Sequence, residues 1–200
     1  MGFALYSDEA VIVGKLVLYI VLLHYPVYNR EGRIVTTAIA NMDIHDIARL
    51  AKTYAVDGFY IVNPAAGQRR LALEIVHHWL KGFGAGFNED RRAAFELIHI
   101  RETLRQVILD ISSATGQSPK MIVTGANLSG DVISFNELKT ILKTGHEPHM
   151  LVFGTGSGIA GEICERADYR LEPIKGVTDY NHLSVRSAAA IIMDRLKGMN

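Results

Sequence analysis

Cysteine is almost absent from this sequence, since Cys164 is the only one among 200 residues. A single thiol cannot form an intramolecular disulfide, so we expect a reducing, cytoplasmic location rather than a disulfide-stapled extracellular domain. An excess of charge of one sign is also missing, because 21 basic residues balance 21 acidic ones. No overall field would therefore draw the protein to nucleic acid or to an anionic membrane, and such binding must come from a local patch of cations.

A hydrophobic run long enough to cross a bilayer is likewise lacking. The apolar stretch over residues 11–23, VIVGKLVLYIVLL, is interrupted by Lys15 and is shorter than the roughly 20 residues that a spanning helix needs. It also lacks the basic segment and cleavage site of a secretory signal. We therefore predict no membrane association. We interpret residues 15–23 as a buried central strand, residues 1–14 as an N-terminal extension, and residues 15–200 as a single domain.

Histidine is present, but not at the spacing of a metal site. His77 and His78 are adjacent on a predicted helix and so point in different directions, and His146 and His149 flank a turn that enters a strand. We predict no metal.

Strand and helix patterns alternate along the chain. In residues 43–55, apolar side chains recur at helical spacing, and we predict a helix with Asp43 as its N-cap. The same reasoning predicts strands at 57–62, 95–100, 119–127, 149–154 and 167–174, helices at 67–82, 101–114 and 134–145, a polar glycine-rich loop at 83–92, and a last helix at 181–198 capped by Asn181.

Strands separated by helices predict an α/β fold with a mostly parallel sheet and helices on both faces. In such sheets ligands bind beyond the carboxyl ends of the strands. This rule selects four loops, at residues 24–33, 124–131, 154–161 and 174–181.

One of these loops contains Gly156-x-Gly158-x-x-Gly161 directly after a strand, which is the spacing of a dinucleotide-binding turn. We reject a dinucleotide, because the few residues that follow cannot complete such a domain and no acidic residue ends the next strand. A cofactor that approaches bare backbone remains possible, beside the alternative of a turn with only structural duties.

Two C-terminal segments extend this pattern: LVFGTGSGI, and LEPIKGVTDYNHLSVRSAAAIIMDRL. Together they resemble the two C-terminal motifs of the SpoU-TrmD (SPOUT) RNA methyltransferases, and DIHDIARLAKTYAVDGFYIV looks like the first motif of that superfamily. The resemblance covers residues 18–196. It is to a bacterial branch described as S-adenosylmethionine-dependent RNA methyltransferase domains, some attached to tRNA (guanine-N1) methyltransferase-like proteins.

This resemblance implies a C-terminal trefoil knot, a homodimer, an RNA substrate and S-adenosylmethionine held bent between three loops. Glycines would let the cofactor approach the backbone, and small residues would let the last helix pack beneath it. The cofactor-binding positions that the resemblance implies are Thr124, Gly125, Asn127, Phe153, Gly154, Thr155, Gly156, Gly158, Ile174, Gly176, Leu183, Ser184 and Ala188.

Methyl transfer needs a positioned acceptor and, for most acceptors, a group that removes a proton. Arg49 falls at the first-motif arginine, and His24 and His182 lie in or beside the selected loops, so we expect catalytic roles for these three. Each has a structural alternative, as a solvated helix arginine or a hydrogen-bonded histidine. Asn29, Asp43 and His45 are the expected substrate-binding residues, with the capping role as the alternative for Asp43.

The sequence also departs from the superfamily pattern, since Ser-Leu-Asn-Val has become His182-Leu-Ser-Val. Five cations, at Arg30, Arg33, Arg49, Lys175 and Arg186, are expected to form a modest RNA-facing patch. We therefore predict an S-adenosylmethionine-dependent RNA methyltransferase. The alternative is a non-catalytic knotted module that binds RNA or a partner and retains the cofactor pocket.

Overall fold

The structure is a computed structural model that describes residues 16–199, so the predicted extension at 1–14 lies outside the described residues. Eight strands lie at Leu18–Leu23 (β1), Val27–Tyr28 (β2), Ile34–Val35 (β3), Gly58–Val62 (β4), Ile98–Arg101 (β5), Lys120–Val123 (β6), His149–Gly154 (β7) and Tyr169–Arg170 (β8). Eight helices lie at Asn41–Thr53 (α1), Ala66–Leu80 (α2), Phe83–Phe87 (α3), Glu89–Phe95 (α4), Leu104–Thr115 (α5), Phe135–Thr144 (α6), Gly161–Glu165 (α7) and Val185–Lys197 (α8).

Six strands form one parallel sheet in the order β5-β4-β1-β7-β6-β8, and β2 and β3 form a separate antiparallel hairpin. β1 is central, pairing with β4 on one side and β7 on the other. Among the described residues, no helix is long and apolar enough to cross a membrane. The predicted mostly parallel α/β sheet is confirmed.

Both faces of the sheet are covered, because β1 is buried on both. Leu18, Ile20 and Leu22 belong to the core beneath α1, α2, α4, α6 and α8. Tyr19, Val21 and Leu23 belong to the opposite core, which α5 and α7 cover. A strand with two buried faces has a continuous apolar sequence, which explains the uninterrupted apolar residues of β1.

The segment at residues 83–92 differs from its prediction as a loop, since it folds into α3 and the start of α4. Asn88 caps α4, with its side-chain oxygen accepting a hydrogen bond from the backbone N–H of Arg91. The short helix α7 was not predicted either, and the last strand is only two residues long. Each of these elements is too short for a periodic pattern to reveal.

Helix α8 begins later than predicted, with Ser184 rather than Asn181 as its N-cap. The Ser184 side chain accepts from the backbone N–H of Ser187, whereas the amide of Asn181 donates to the carbonyl of Ala126 at 3.3 Å. Asn181 therefore ties the loop before α8 to the loop after β6.

Asp43 is not the N-cap of α1, so that prediction was wrong. The helix begins at Asn41 after Ala40, and Asp43 lies buried in its first turn. The Asp43 carboxylate accepts a hydrogen bond from Arg186 at 2.6 Å, and Arg186 also lies 3.3 Å from the carboxylate of Asp46. This ion-pair cluster joins the start of α1 to the start of α8, which are 143 positions apart in the chain.

Removal of the buried half of this cluster should destabilise the fold more than removal of the exposed half. The Asp43 side chain is 10% exposed and that of Asp46 is 49% exposed. We expect Asp43→Ala to lower the free energy of unfolding by roughly 2 kcal/mol, because it leaves Arg186 poorly paired. Asp46→Ala should cost under about 1 kcal/mol. Urea denaturation measures both, and equal losses would contradict the assignment.

Candidate functional site

A cavity of about 1200 Å³ opens beyond the carboxyl ends of β6 and β7. Its walls are the loops that follow these two strands, the segment between β8 and α8, and the first turn of α8. All four loops selected from the sequence thus meet at one site, since the first of them forms part of the β2–β3 hairpin and supplies Tyr28 and Arg30 to the wall. The predicted residues that line this cavity are Thr124, Gly125, Asn127, Phe153, Gly154, Thr155, Gly156, Gly158, Ile174, Leu183, Ser184, Ala188, His182 and Asp43.

Five predicted site residues do not line the cavity: Gly176, His24, Arg49, Asn29 and His45. The side-chain oxygen of Asn29 instead accepts hydrogen bonds from the backbone N–H groups of Glu31 and Arg33, so it shapes the tip of the hairpin. His45 packs against the rings of Trp79 and Phe95, with ring centroids 5.4 Å and 4.8 Å away. Burial, then the charge of Arg91, lowers the pKa of His45.

Arg49 lies on the exposed side of α1, in a separate depression of about 340 Å³ between α1 and α4. Lys52 and Arg91 line the same depression. Within this chain Arg49 therefore contributes to a different surface from the cavity, and its catalytic role stays a prediction.

The glycine-rich turn after β7 is held by the β2–β3 hairpin through its backbone. Ser157 N–H donates to the carbonyl of Tyr28 at 2.7 Å, and Tyr28 N–H donates to the carbonyl of Gly158 at 2.8 Å. Gly161 N–H donates to the phenol oxygen of Tyr28 at 3.0 Å. Tyr28 thus forms hydrogen bonds with three residues of the turn, Ser157, Gly158 and Gly161. Nothing in the sequence pattern indicated this role.

Gly156 is required by this contact. Its φ is +61°, and a Cβ added there would lie 2.6 Å from the carbonyl oxygen of Tyr28. Sequence reasoning attributed the glycines to approach of a cofactor. At Gly156 the close neighbour of an added Cβ is the protein's own backbone, so the fold itself requires glycine here, and cofactor contact at this cavity-lining position stays a prediction.

The remaining wall suits an adenosine-containing cofactor. Leu128, Ile174 and Leu183 supply apolar surface, and among the described residues no hydrogen bond occupies the backbone N–H groups of Gly125, Asn127 or Ile174. Apolar walls with a few free backbone donors can hold a purine ring and pair with its polar edge. The residues present therefore fit S-adenosylmethionine.

His24 lies beneath the turn, at the end of β1, and is fully buried. Its Nδ1 lies 2.9 Å from the hydroxyl of Thr37, which lies 2.5 Å from the hydroxyl of Thr155, which donates to the carbonyl of Leu23. The Thr155 hydroxyl donates its one hydrogen bond to Leu23, so it must accept the hydrogen bond from the Thr37 hydroxyl. Thr37 in turn accepts from the Nδ1–H of His24. Burial lowers the pKa of His24 to about 4, so the ring is neutral at physiological pH.

The charges on the cavity wall are few. Arg186 lines the cavity but forms ion pairs with Asp43 and Asp46, which compensate much of its charge, and its expected place in an RNA-facing patch stays a prediction. Arg30 also lines the cavity, is exposed, and makes no ion pair within residues 16–199. The backbone N–H of Phe135 donates to the carboxylate of Glu172 at 2.9 Å, which fixes that wall residue to the start of α6.

Substitution of Gly156 should cost far more than substitution of a glycine with the same backbone geometry in open space. Gly32 has φ +73° and no atom within 4 Å of an added Cβ. We expect Gly32→Ala to lower the free energy of unfolding by about 1 kcal/mol and Gly156→Ala by roughly 3 kcal/mol or more, since the Tyr28 carbonyl must move. Thermal unfolding of both variants tests this, and similar melting temperatures would refute the close contact.

The buried histidine should make the protein sensitive to acid. The pKa of His24 is about 4 in the folded state and 6.5 as its reference value, so the unfolded chain binds more protons between these values. The free energy of unfolding should therefore fall as pH falls through this window, by roughly 2 kcal/mol between about pH 7 and pH 5 from His24. His24→Asn keeps a donor near Nδ1 and should remove that part of the dependence, whereas His146→Asn at an exposed position should not. An unchanged dependence in His24→Asn would contradict the neutral buried ring.

Comparison with known proteins shows the family to which the chain is similar. A family model described as SAM-dependent RNA methyltransferase matches residues 17–198. A tRNA (guanine-N(1)-)-methyltransferase of Oleidesulfovibrio alaskensis is 43% identical over 181 residues, which are 90% of this chain and 42% of that protein. An uncharacterized protein of Aquifex aeolicus is 38% identical over 183 residues, 92% of this chain and 89% of that protein. The chain thus spans less than half of the named relative.

Solved structures share the fold at low identity. A putative methylase family protein from Neisseria gonorrhoeae gives a TM-score of 0.62 at 16% identity, over 98% of this chain and 87% of that one. The SpoU methyltransferase AviRb from Streptomyces viridochromogenes, solved in complex with AdoMet, gives 0.55 at 17% identity, over 90% and 57%. Because the family model covers nearly the whole described chain, and a relative 38% identical is matched over most of both sequences, this protein belongs to the SAM-dependent RNA methyltransferase family.

Proposed function

We propose that this chain transfers a methyl group from S-adenosylmethionine to RNA, with the cofactor bound in the cavity beyond β6 and β7. The observation that carries the proposal is the meeting of three loops around one cavity of about 1200 Å³, at the positions that the SPOUT resemblance implies. This volume exceeds the roughly 1,000 Å³ upper range of ordinary ligand pockets, so it leaves room for an acceptor beside a cofactor.

The chain's own residues would bind and orient both partners. When bound, S-adenosylmethionine supplies an electrophilic methyl group on its sulfonium. The free backbone N–H groups of Gly125, Asn127 and Ile174 would hold the adenine edge, while Thr155 is held in place by Leu23 and Thr37. No metal is needed for such a displacement, and within the described residues no group of three potential metal ligands is found.

A proton acceptor is required if the methylated atom carries a proton. Of the three residues expected to serve catalysis, only His182 lines the cavity, where its ring contacts Tyr180 edge-on at 5.3 Å between centroids. His182 is therefore our candidate for removing the acceptor proton. His24 is neutral and enclosed, so its contribution is to position Thr37 and Thr155 rather than to touch the acceptor.

The proposal extends to assembly and target. The similarity to a tRNA (guanine-N(1)-)-methyltransferase supports tRNA as the substrate class, and guanine N1 as the first acceptor atom to test. The SPOUT resemblance supports a homodimer and a C-terminal trefoil knot, in which the last strand and helix thread through a loop. The single cysteine and the absence of a long apolar run support a cytoplasmic location.

Cofactor binding can be tested with two alanines on the same helix. Ala188 lines the cavity and Ala190 is exposed outside it, so leucine at the first position fills the site and at the second meets solvent. We expect calorimetric titration to show one S-adenosylmethionine per chain, a loss of at least about 10-fold in affinity for Ala188→Leu, and no change for Ala190→Leu. Wild-type affinity in Ala188→Leu would place the cofactor elsewhere.

Catalysis is tested separately, by transfer of a labelled methyl group to unfractionated tRNA and ribosomal RNA. Activity in the wild type that is lost in Ala188→Leu would support the enzyme. Cofactor binding without transfer to either RNA would favour the alternative, a module that retains the cofactor pocket but does not catalyse.

A further inference from the structure

The mouth of the cavity carries two kinds of side chain that the methyl-transfer chemistry does not use. Arg30 projects from the tip of the β2–β3 hairpin, and Tyr180 lies in the segment between β8 and α8; both line the cavity. Tyr180 is 73% exposed, so its ring is accessible at the cavity wall. An exposed aromatic ring and an unpaired cation that line one cavity are the chemistry that recognises a nucleotide, through base stacking and phosphate contact.

Arg30 is the arginine of the cavity wall that is free to bind an anion. Arg186 is already neutralised by Asp43 and Asp46, at 2.6 Å and 3.3 Å. On the hairpin itself, Arg33 lies 3.3 Å from the carboxylate of Glu31, and so is paired as well. A phosphate entering the cavity therefore meets one uncompensated guanidinium.

The hairpin presents Arg30 from a rigid base. Asn29 N–H donates to the carbonyl of Arg33, Gly32 N–H donates to the carbonyl of Asn29, and the Asn29 side chain closes the turn. Below the turn, Tyr28 is bonded to the glycine-rich loop on both sides. The backbone that carries Arg30 is thus fixed relative to the wall of the cofactor site, which limits the entropy lost when an anion binds.

We propose that the cavity mouth is the acceptor-nucleotide site, in which Arg30 contacts a backbone phosphate of the RNA and Tyr180 stacks on a base. The inference rests on the proposed function, because it takes the acceptor to be RNA. It assigns the neutral protein a local contact point for RNA, which the overall balance of 21 basic and 21 acidic residues does not provide.

The two contacts predict different signatures in binding to unfractionated tRNA, measured by fluorescence anisotropy between about 50 and 200 mM salt. Arg30→Gln should weaken binding by about 10-fold at the lower salt and reduce the slope of log K against log salt by about 1. Tyr180→Leu should weaken binding by about 10-fold with the slope unchanged, because stacking releases no counterions. The control is Arg105→Gln, which removes the same charge from an exposed position on α5 outside the cavity and should leave affinity within about 2-fold.

Calorimetric titration with S-adenosylmethionine separates this inference from the proposed function. Both cavity-mouth variants should bind the cofactor as the wild type does. Loss of cofactor affinity in Arg30→Gln with unchanged tRNA binding would overturn the inference, since Arg30 would then hold the cofactor's carboxylate. Equal effects of Arg30→Gln and Arg105→Gln, or no binding of tRNA by a wild type that binds the cofactor, would also overturn it.

Discussion

The burial of β1 on both faces is the constraint on which the rest of the structure depends. Its six residues pair with β4 and β7 and are all buried. At the carboxyl end of β1, the carbonyl of Leu23 accepts a hydrogen bond from the Thr155 hydroxyl, and the backbone N–H of His24 donates to the carbonyl of Val62. The end of β1 thereby fixes Thr155, the first residue of the glycine-rich turn. The cavity lies where the neighbouring strands β1, β7 and β6 end.

The glycine-rich turn shows why a motif can identify a place without revealing what each residue does there. The spacing of Gly156, Gly158 and Gly161 marked the correct loop. The reason for Gly156, however, is a contact with Tyr28, which lies 128 positions earlier in the chain. Such a contact exists only in the folded molecule, so residue spacing cannot distinguish it from approach by a ligand.

Prediction from the sequence succeeded where the signal was local and long. The central strand, the helices around residues 43–55 and 67–82, and the strand at 149–154 follow from periodicity that burial imposes directly. It failed for polar side chains, because their partners are distant in the chain. Asp43 was predicted to cap its own helix, and its carboxylate instead accepts a hydrogen bond from Arg186, a partner 143 positions away that spacing could not indicate.

The tip of the β2–β3 hairpin is held by hydrogen bonds that do not depend on the rest of the fold. Its hydrogen bonds, from Asn29, Glu31, Gly32 and Arg33, close within the tip itself, and the anchoring contacts are made by Tyr28 before it and Thr37 after it. An insertion or deletion between those anchors would change the reach of the tip without disturbing the sheet or the cofactor wall. The tip is therefore a position at which length and sequence can change while the cavity wall is kept, and at which a segment can be exchanged by design.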